Sequence, residues 1–259
     1  MIQIHRVEVW KEDRKILSIS KWETFPNENW IVLGRNGAGK STLLNVLYGF
    51  VWPTVGEVSV LGMKYGEIPI IEIRSKIGIL EPTHQESRLQ RYLTVKEILY
   101  TGILGTIGLY QNISKEQEDI VEKTIEKQKW IHDPLQKFDT LSSGEKKKIL
   151  LARAMLLEPK ILLLDEPTSS LDLTAREEFY SILENYNKDH QFQSILITHR
   201  TEEIPHFYTN ALLLDSGNIL AKGKMKDVLN DENLSSLYGI PVKVHETSGR
   251  YFCVPKDKV

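Results

Sequence analysis

The stretch Gly34-Arg35-Asn36-Gly37-Ala38-Gly39-Lys40-Ser41-Thr42 restricts the folds open to this chain more than any other. Gly34 and Gly39 are separated by four residues, and Lys40 and Ser41 follow at once. An apolar run, Trp30-Ile31-Val32-Leu33, leads into the glycines, and a helix-forming run, Thr42 to Tyr48, leads out. Strand, glycine turn and helix in that order bring backbone N–H groups to a helix N-terminus, where the helix dipole also favours an anion. Glycines suit the turn because a Cβ would hold a phosphate away from the backbone. The pattern predicts a phosphate-binding loop in which Lys40 reaches the outer phosphates and the Ser41 hydroxyl ligates Mg²⁺.

Around this loop the chain alternates strand-like and helix-like segments. Ile2–Val9 and Ile16–Ile19 read as strands joined by a turn at Asp13-Arg14, and Glu57–Leu61 and Lys76–Leu80 as two more. From about Glu81 the pattern turns helical. Thr94 with Glu97, Ser114 with Gln117 and Ser142 with Glu145 are three capping boxes, each opening a helix. Ile161-Leu162-Leu163-Leu164 and Ser194–Thr198 are short apolar runs of the kind buried on both faces of a parallel sheet. Between them a helix reaches about Asn187, with Thr174 expected as its cap. Ala211–Leu214 and Ile219–Ala221 flank a hairpin turn, and Val242–His245 and Tyr251–Val254 suggest a last hairpin around Ser248-Gly249.

The expected fold class is α/β. A core with a mainly parallel sheet carries an antiparallel β portion at its N-terminus and an inserted α-helical subdomain. One domain over 1–259 is expected: 1–85 and 158–225 form the core, 86–157 the helical subdomain, and 226–259 a C-terminal extension.

Composition narrows the class of partner. The 259 residues carry a formal net charge of −2, which does not call for nucleic acid or a membrane surface. One cysteine, Cys253, excludes a disulfide framework within the chain and suits a reducing compartment. The longest weakly polar stretch, Ile98 to Tyr110, is too short to span a bilayer. The basic run Lys146-Lys147-Lys148 reads as a solvated helix face.

A second chemical feature stands at the end of the apolar run 161–164. Asp165 and Glu166 follow it directly, and an apolar strand ending in two carboxylates is costly unless they face a site. Asp165 is placed to hold Mg²⁺ and Glu166 to orient and deprotonate a water. Upstream, Leu141-Ser142-Ser143-Gly144-Glu145 is a helix N-terminus with a hydroxyl and a bare backbone, and so a second anion cradle as well as a capping box.

Taken in order, these motifs resemble those of the ATP-binding cassette (ABC) ATPases. The set is Gly34–Thr42 as phosphate loop, Leu141–Glu145 as signature, Ile161–Glu166 as acidic strand, Ser169–Asp172 as D-loop and Thr198-His199 as switch. The resemblance spans about residues 2–225. It implies a P-loop NTPase core with ATP and Mg²⁺ as cofactors. It also implies a homodimer, or paired cassette, enclosing two ATP molecules, each held between one phosphate loop and the partner's Ser142, Ser143 and Gly144. In that scheme Lys40, Glu166 and His199 are catalytic, with Glu166 the base and His199 against the γ-phosphate. Residues 34–42 bind the nucleotide, Trp10 stacks on adenine, Asp172 couples the two sites, and Ser41, Asp165 and Gln85 attend the metal.

The family pattern is altered in places. Ser143 stands for a glycine, Glu145 for a glutamine, and Pro82 occupies the place where a glutamine is expected, leaving Gln85 as its nearest substitute. The tail, Val228 to Val242, is similar to that of ATPases serving metal-chelate importers, which implies integral membrane partner subunits and a cytoplasmic position at the inner face of the cell membrane. Asn29-Trp30 and the altered glutamine segment resemble a molybdate-related branch. That branch leaves open a soluble ATPase serving DNA, ribosome or cofactor-assembly work.

Overall fold

The computed structural model describes residues 1–89 and 92–256. Positions 90 and 91 of the expected helical subdomain, and 257–259 of the expected C-terminal extension, lie outside the described residues.

The strands are β1 (Ile2–Lys11), β2 (Arg14–Glu23), β3 (Trp30–Leu33), β4 (Val55–Val60), β5 (Met63–Lys64), β6 (Ile77–Leu80), β7 (Ile161–Asp165), β8 (Gln193–Thr198), β9 (Asn210–Asp215) and β10 (Asn218–Lys224). They form one sheet in the order β5-β4-β1-β2-β10-β9-β3-β8-β7-β6. Its halves obey different pairing rules. Strands β9, β3, β8, β7 and β6 are parallel neighbours. At the other end β1 pairs antiparallel with β2 and β4. The expected α/β architecture is therefore the observed one.

Burial explains the apolar runs of the parallel half. Alternate residues of one strand feed two cores: Ile31 and Leu33 pack on one face of the sheet, Trp30 and Val32 on the other. Leu162 and Leu164 divide from Ile161 and Leu163 in the same way. A strand covered on both faces is mostly apolar along its length. In β3 and β7 polar side chains appear only at or beyond the carboxyl end, at the edge of the sheet where open α/β sheets bind ligands.

The helices are α1 (Lys40–Tyr48), α2 (Ile70–Arg74), α3 (Pro82–Arg88), α4 (Val95–Leu104), α5 (Lys115–Lys127), α6 (Ser143–Met155), α7 (Leu173–His190), α8 (Met225–Val228) and α9 (Asp231–Tyr238). Leu99, Tyr100, Val121, Ala152 and Leu156 give α4, α5 and α6 a small core of their own. All three expected capping boxes form, with reciprocal bonds at Thr94/Glu97, Ser114/Gln117 and Ser142/Glu145. A separate hairpin, β11 (Val242–Thr247) with β12 (Arg250–Pro255), closes the described chain.

Two local expectations need correction. Helix α7 is capped by Asp172, not Thr174: the Asp172 carboxylate accepts from Ala175 N at 2.8 Å. The segment from Pro82 is helical, as the pattern from about Glu81 suggests, and proline at its first turn is preset for helical φ. Lys147 is not on a solvated face. It is 3% exposed and donates to Ser170 Oγ at 2.8 Å. Three consecutive side chains fan over about 200° of a helix, and the middle one here is turned towards Ser170.

Candidate functional site

The phosphate loop is held by close packing as well as by its turn. A Cβ on Gly34 would lie 2.4 Å from the Leu214 carbonyl oxygen of β9, so no other residue fits there. Gly39 caps α1 with φ at +97°, a conformation that L side chains rarely adopt, and no side chain caps the helix. The first N–H groups of α1 therefore have no side-chain acceptor, as an anion site requires. Lys40 is 6% exposed, and its ammonium donates to the Gly34 and Arg35 carbonyls at 2.9 and 3.1 Å. Burial pulls its pKa down, and Glu166 and Asp165 oppose that shift.

The parallel register brings the other residues to the same edge. Strand β3 lies beside β8, which lies beside β7, so the residues following Leu33, Thr198 and Leu164 emerge together. Glu166 Oε1 is 3.7 Å from Lys40 Nζ and 3.0 Å from His199 Nδ1. With Glu166 ionised, His199 Nδ1–H is the donor, which leaves Nε2 for a second partner. Glu166 holds a left-handed backbone, φ +46°, while its N–H bonds the Ile197 carbonyl at 3.0 Å. Such backbone strain in a non-glycine residue gathers at functional sites. Burial raises the Asp165 pKa, the Ser41 hydroxyl beside it works the other way, and the Glu166 charge raises it further.

Ser41, Asp165 and Glu166 line one cavity of about 600 Å³. The same cavity exposes Glu81, which sequence reasoning missed. Leu80 pairs with Leu164 in the β6–β7 register, so Glu81 stands beside Asp165. The available signal was positional: Glu81 is the first polar residue after an apolar run, as Asp165 is. Burial, with the Asp165 charge adding to it, raises its pKa to about 7.

Gln85 is not among those lining residues. Its side-chain amide donates to the Ile79 carbonyl at 3.1 Å and accepts from Glu81 N at 3.2 Å, so it is committed to the end of β6. The metal role expected of Gln85 thus has no support in this arrangement. Trp10 is 42% exposed at the end of β1. Its indole N–H donates to Glu8 at 3.0 Å, and Lys15 Nζ lies 5.0 Å from its ring centre. Lys15, its partner across the β1–β2 ladder, precedes Ile16, whose carbonyl lies against Gly39, so the ring sits near the loop.

The second anion cradle lies elsewhere. Ser142, Ser143 and Gly144 open α6 and do not line the cavity of Ser41 and Asp165. Glu145 accepts from both the N–H and the hydroxyl of Ser142, so it serves as the capping-box acid. Ser143 Oγ stands 3.3 Å from Ser170 Oγ in the D-loop segment, and Gly144 faces Ala175 of α7.

The family model described as "ABC transporter" matches residues 17–169. The chain belongs to the ABC transporter family. The ABC transporter ATP-binding protein YlmA of Bacillus subtilis is 35% identical over all of this chain and 98% of its own length. The ferric enterobactin transport ATP-binding protein FepC of Escherichia coli is 28% identical, over 81% of this chain and 76% of its own. A solved ABC transporter, described as of the metal-chelate type and inward-facing, superposes with a TM-score of 0.78 at 24% identity. That match covers 99% of this chain and 98% of the other. This ABC cassette is therefore an ATP-binding subunit and an ATPase, converting ATP and water to ADP and phosphate.

Proposed function

We propose that this cassette drives an importer of a metal chelate or similar small solute, working as a homodimer around two ATP molecules. Lys40 and the loop amides bind the phosphates, Glu166 takes the proton of the attacking water, and His199 orients Glu166 and meets the γ-phosphate. Asp172 couples the two sites. Trp10 supplies a face for adenine. The single observation that carries this reading is the convergence of Lys40, Glu166 and His199 within hydrogen-bond or ion-pair distance at the carboxyl edge of the sheet.

The residues fit Mg²⁺. Ser41 and Asp165 offer a hydroxyl and a carboxylate, hard oxygen donors in one cavity. Among the described residues no group of three or more His, Cys, Asp or Glu is arranged to hold a metal. An ion held by Ser41 and Asp165 would supply charge neutralisation for the bound phosphates.

Among the described residues no helix is long and apolar enough to cross a membrane. One feature supports membrane partners. Between the sheet and the helical segment runs a cleft of about 680 Å³ whose lining includes Phe50, Ile71, Ile107 and Tyr110, all exposed apolar residues. Such a patch suits an integral membrane subunit, which would place the cassette at the cytoplasmic face. The test is Glu166→Gln. It is expected to bind ATP, hydrolyse it at least about a hundredfold more slowly and accumulate as a dimer by light scattering. Near-normal turnover would remove Glu166 as the base.

A further inference from the structure

The turn after His199 is held from two sides. From within, Arg200 N donates to Thr198 Oγ1 at 3.1 Å, and both Thr198 Oγ1 and the Arg200 guanidinium donate to the buried Glu203 carboxylate at 3.3 and 3.4 Å. From without, strand β12 packs on the turn 201–203. Thr201 Oγ1 donates to Cys253 Sγ at 3.5 Å, and Gly249 at the hairpin tip lies against His206.

Arg250 makes the charged contact of this face. Its guanidinium forms an ion pair with Glu177 on α7 and reaches the Glu202 carbonyl at 3.5 Å. Helix α7 leads back through the D-loop segment to Glu166, and residue 202 leads back to His199. Arg250 thus ties together, away from the reaction, the two segments whose near ends carry the Glu166–His199 hydrogen bond of 3.0 Å. The other Glu177 oxygen, Oε1, is buried without a hydrogen bond and has only the Arg176 guanidinium of the same helix at 3.6 Å, so loss of Arg250 removes the hydrogen bond that ties this carboxylate to another element. A planar guanidinium can serve a carboxylate and a carbonyl together, which an ammonium does less well.

We infer that Arg250 is a positioning residue for ATP hydrolysis, fixing Glu166 against His199 by locking α7 to the turn after β8. This rests on the reading that Glu166 and His199 act on the nucleotide. It gives the C-terminal hairpin a part in the reaction although none of its residues touches the reacting atoms.

The test uses full-length wild type, Arg250→Ala and Arg250→Lys, with steady-state ATPase kinetics, ATP affinity and thermal unfolding. Arg250→Ala is expected to lower kcat about fivefold or more with KM for ATP and ATP affinity within about twofold of wild type. Arg250→Lys keeps the charge and recovers part of the lost rate. The inference is overturned by an unchanged kcat in Arg250→Ala, by a KM that rises as much as kcat falls, or by Arg250→Lys no better than Arg250→Ala. Absence of ATPase activity in the wild type would instead strike the reading on which it rests.

Discussion

Glu81 acquires its place from strand register alone. Its folded pKa of about 7 lies above its ordinary value of 4.5, because burial and the Asp165 charge both disfavour the carboxylate. The sign follows from linkage: the unfolded chain releases this proton first as pH rises. The stability contributed by neutral Glu81 is full below pH 4.5 and is lost as pH climbs through about 7. Glu81→Gln, without nucleotide or divalent cation, is expected to flatten that decline and to be the more stable chain at pH 8 by on the order of 1–3 kcal/mol. Thermal melts at pH 5 and pH 8 check it, and parallel losses in the two chains would show that Glu81 is not the group responsible. The residues legible in the sequence were those with a local pattern: Lys40 and Ser41 in their glycine loop, Asp165 and Glu166 at a strand end. Glu81 has no motif. Only the pairing of Leu80 with Leu164 shows that it adjoins Asp165.

Elements were legible where the code is short in sequence. The three capping boxes form as read, since each is complete within four residues. Asp172 was passed over as a cap because Thr174 offered a similar local pattern. The structure settles the choice through the 2.8 Å bond from Ala175 N to Asp172. Loss of an N-cap aspartate costs about 1 kcal/mol, whereas asparagine caps nearly as well. Asp172→Ala is therefore expected to unfold at lower denaturant by that amount, and Asp172→Asn to stay within about 0.5 kcal/mol of wild type. Equal stability of the two variants would deny the cap. A stable Asp172→Asn chain that still loses ATPase activity would report its coupling role apart from the fold. The placements of Lys147 and Gln85 were not legible, for the opposite reason. Their partners, Ser170 and the end of β6, are set by tertiary packing, which a run of lysines or a lone glutamine does not reveal.

At the scale of the whole molecule the decisive fact is that the two anion cradles of one chain do not share a cavity. Ser41, Asp165 and Glu166 line one cavity, while Ser142–Gly144 open α6 against the D-loop segment. The proposed symmetric pair of chains would resolve this, because a two-fold interface can present each chain's loop to the partner's α6 N-terminus. Composite sites of this kind have a consequence that separate sites lack. Lys40→Ala disables a loop, and Gly144→Asp sets a negative charge where the partner's phosphate would lie; each homodimer then has two dead sites. In a mixed dimer both defects fall on one site, and the other pairs an intact loop with an intact Ser142–Gly144. Random exchange makes half the dimers mixed, so a mixture of the two inactive chains is expected to recover up to about a quarter of the wild-type ATPase rate. Were each chain to close its own site, every site in the mixture would carry one defect, and the mixture would stay as inactive as its parts.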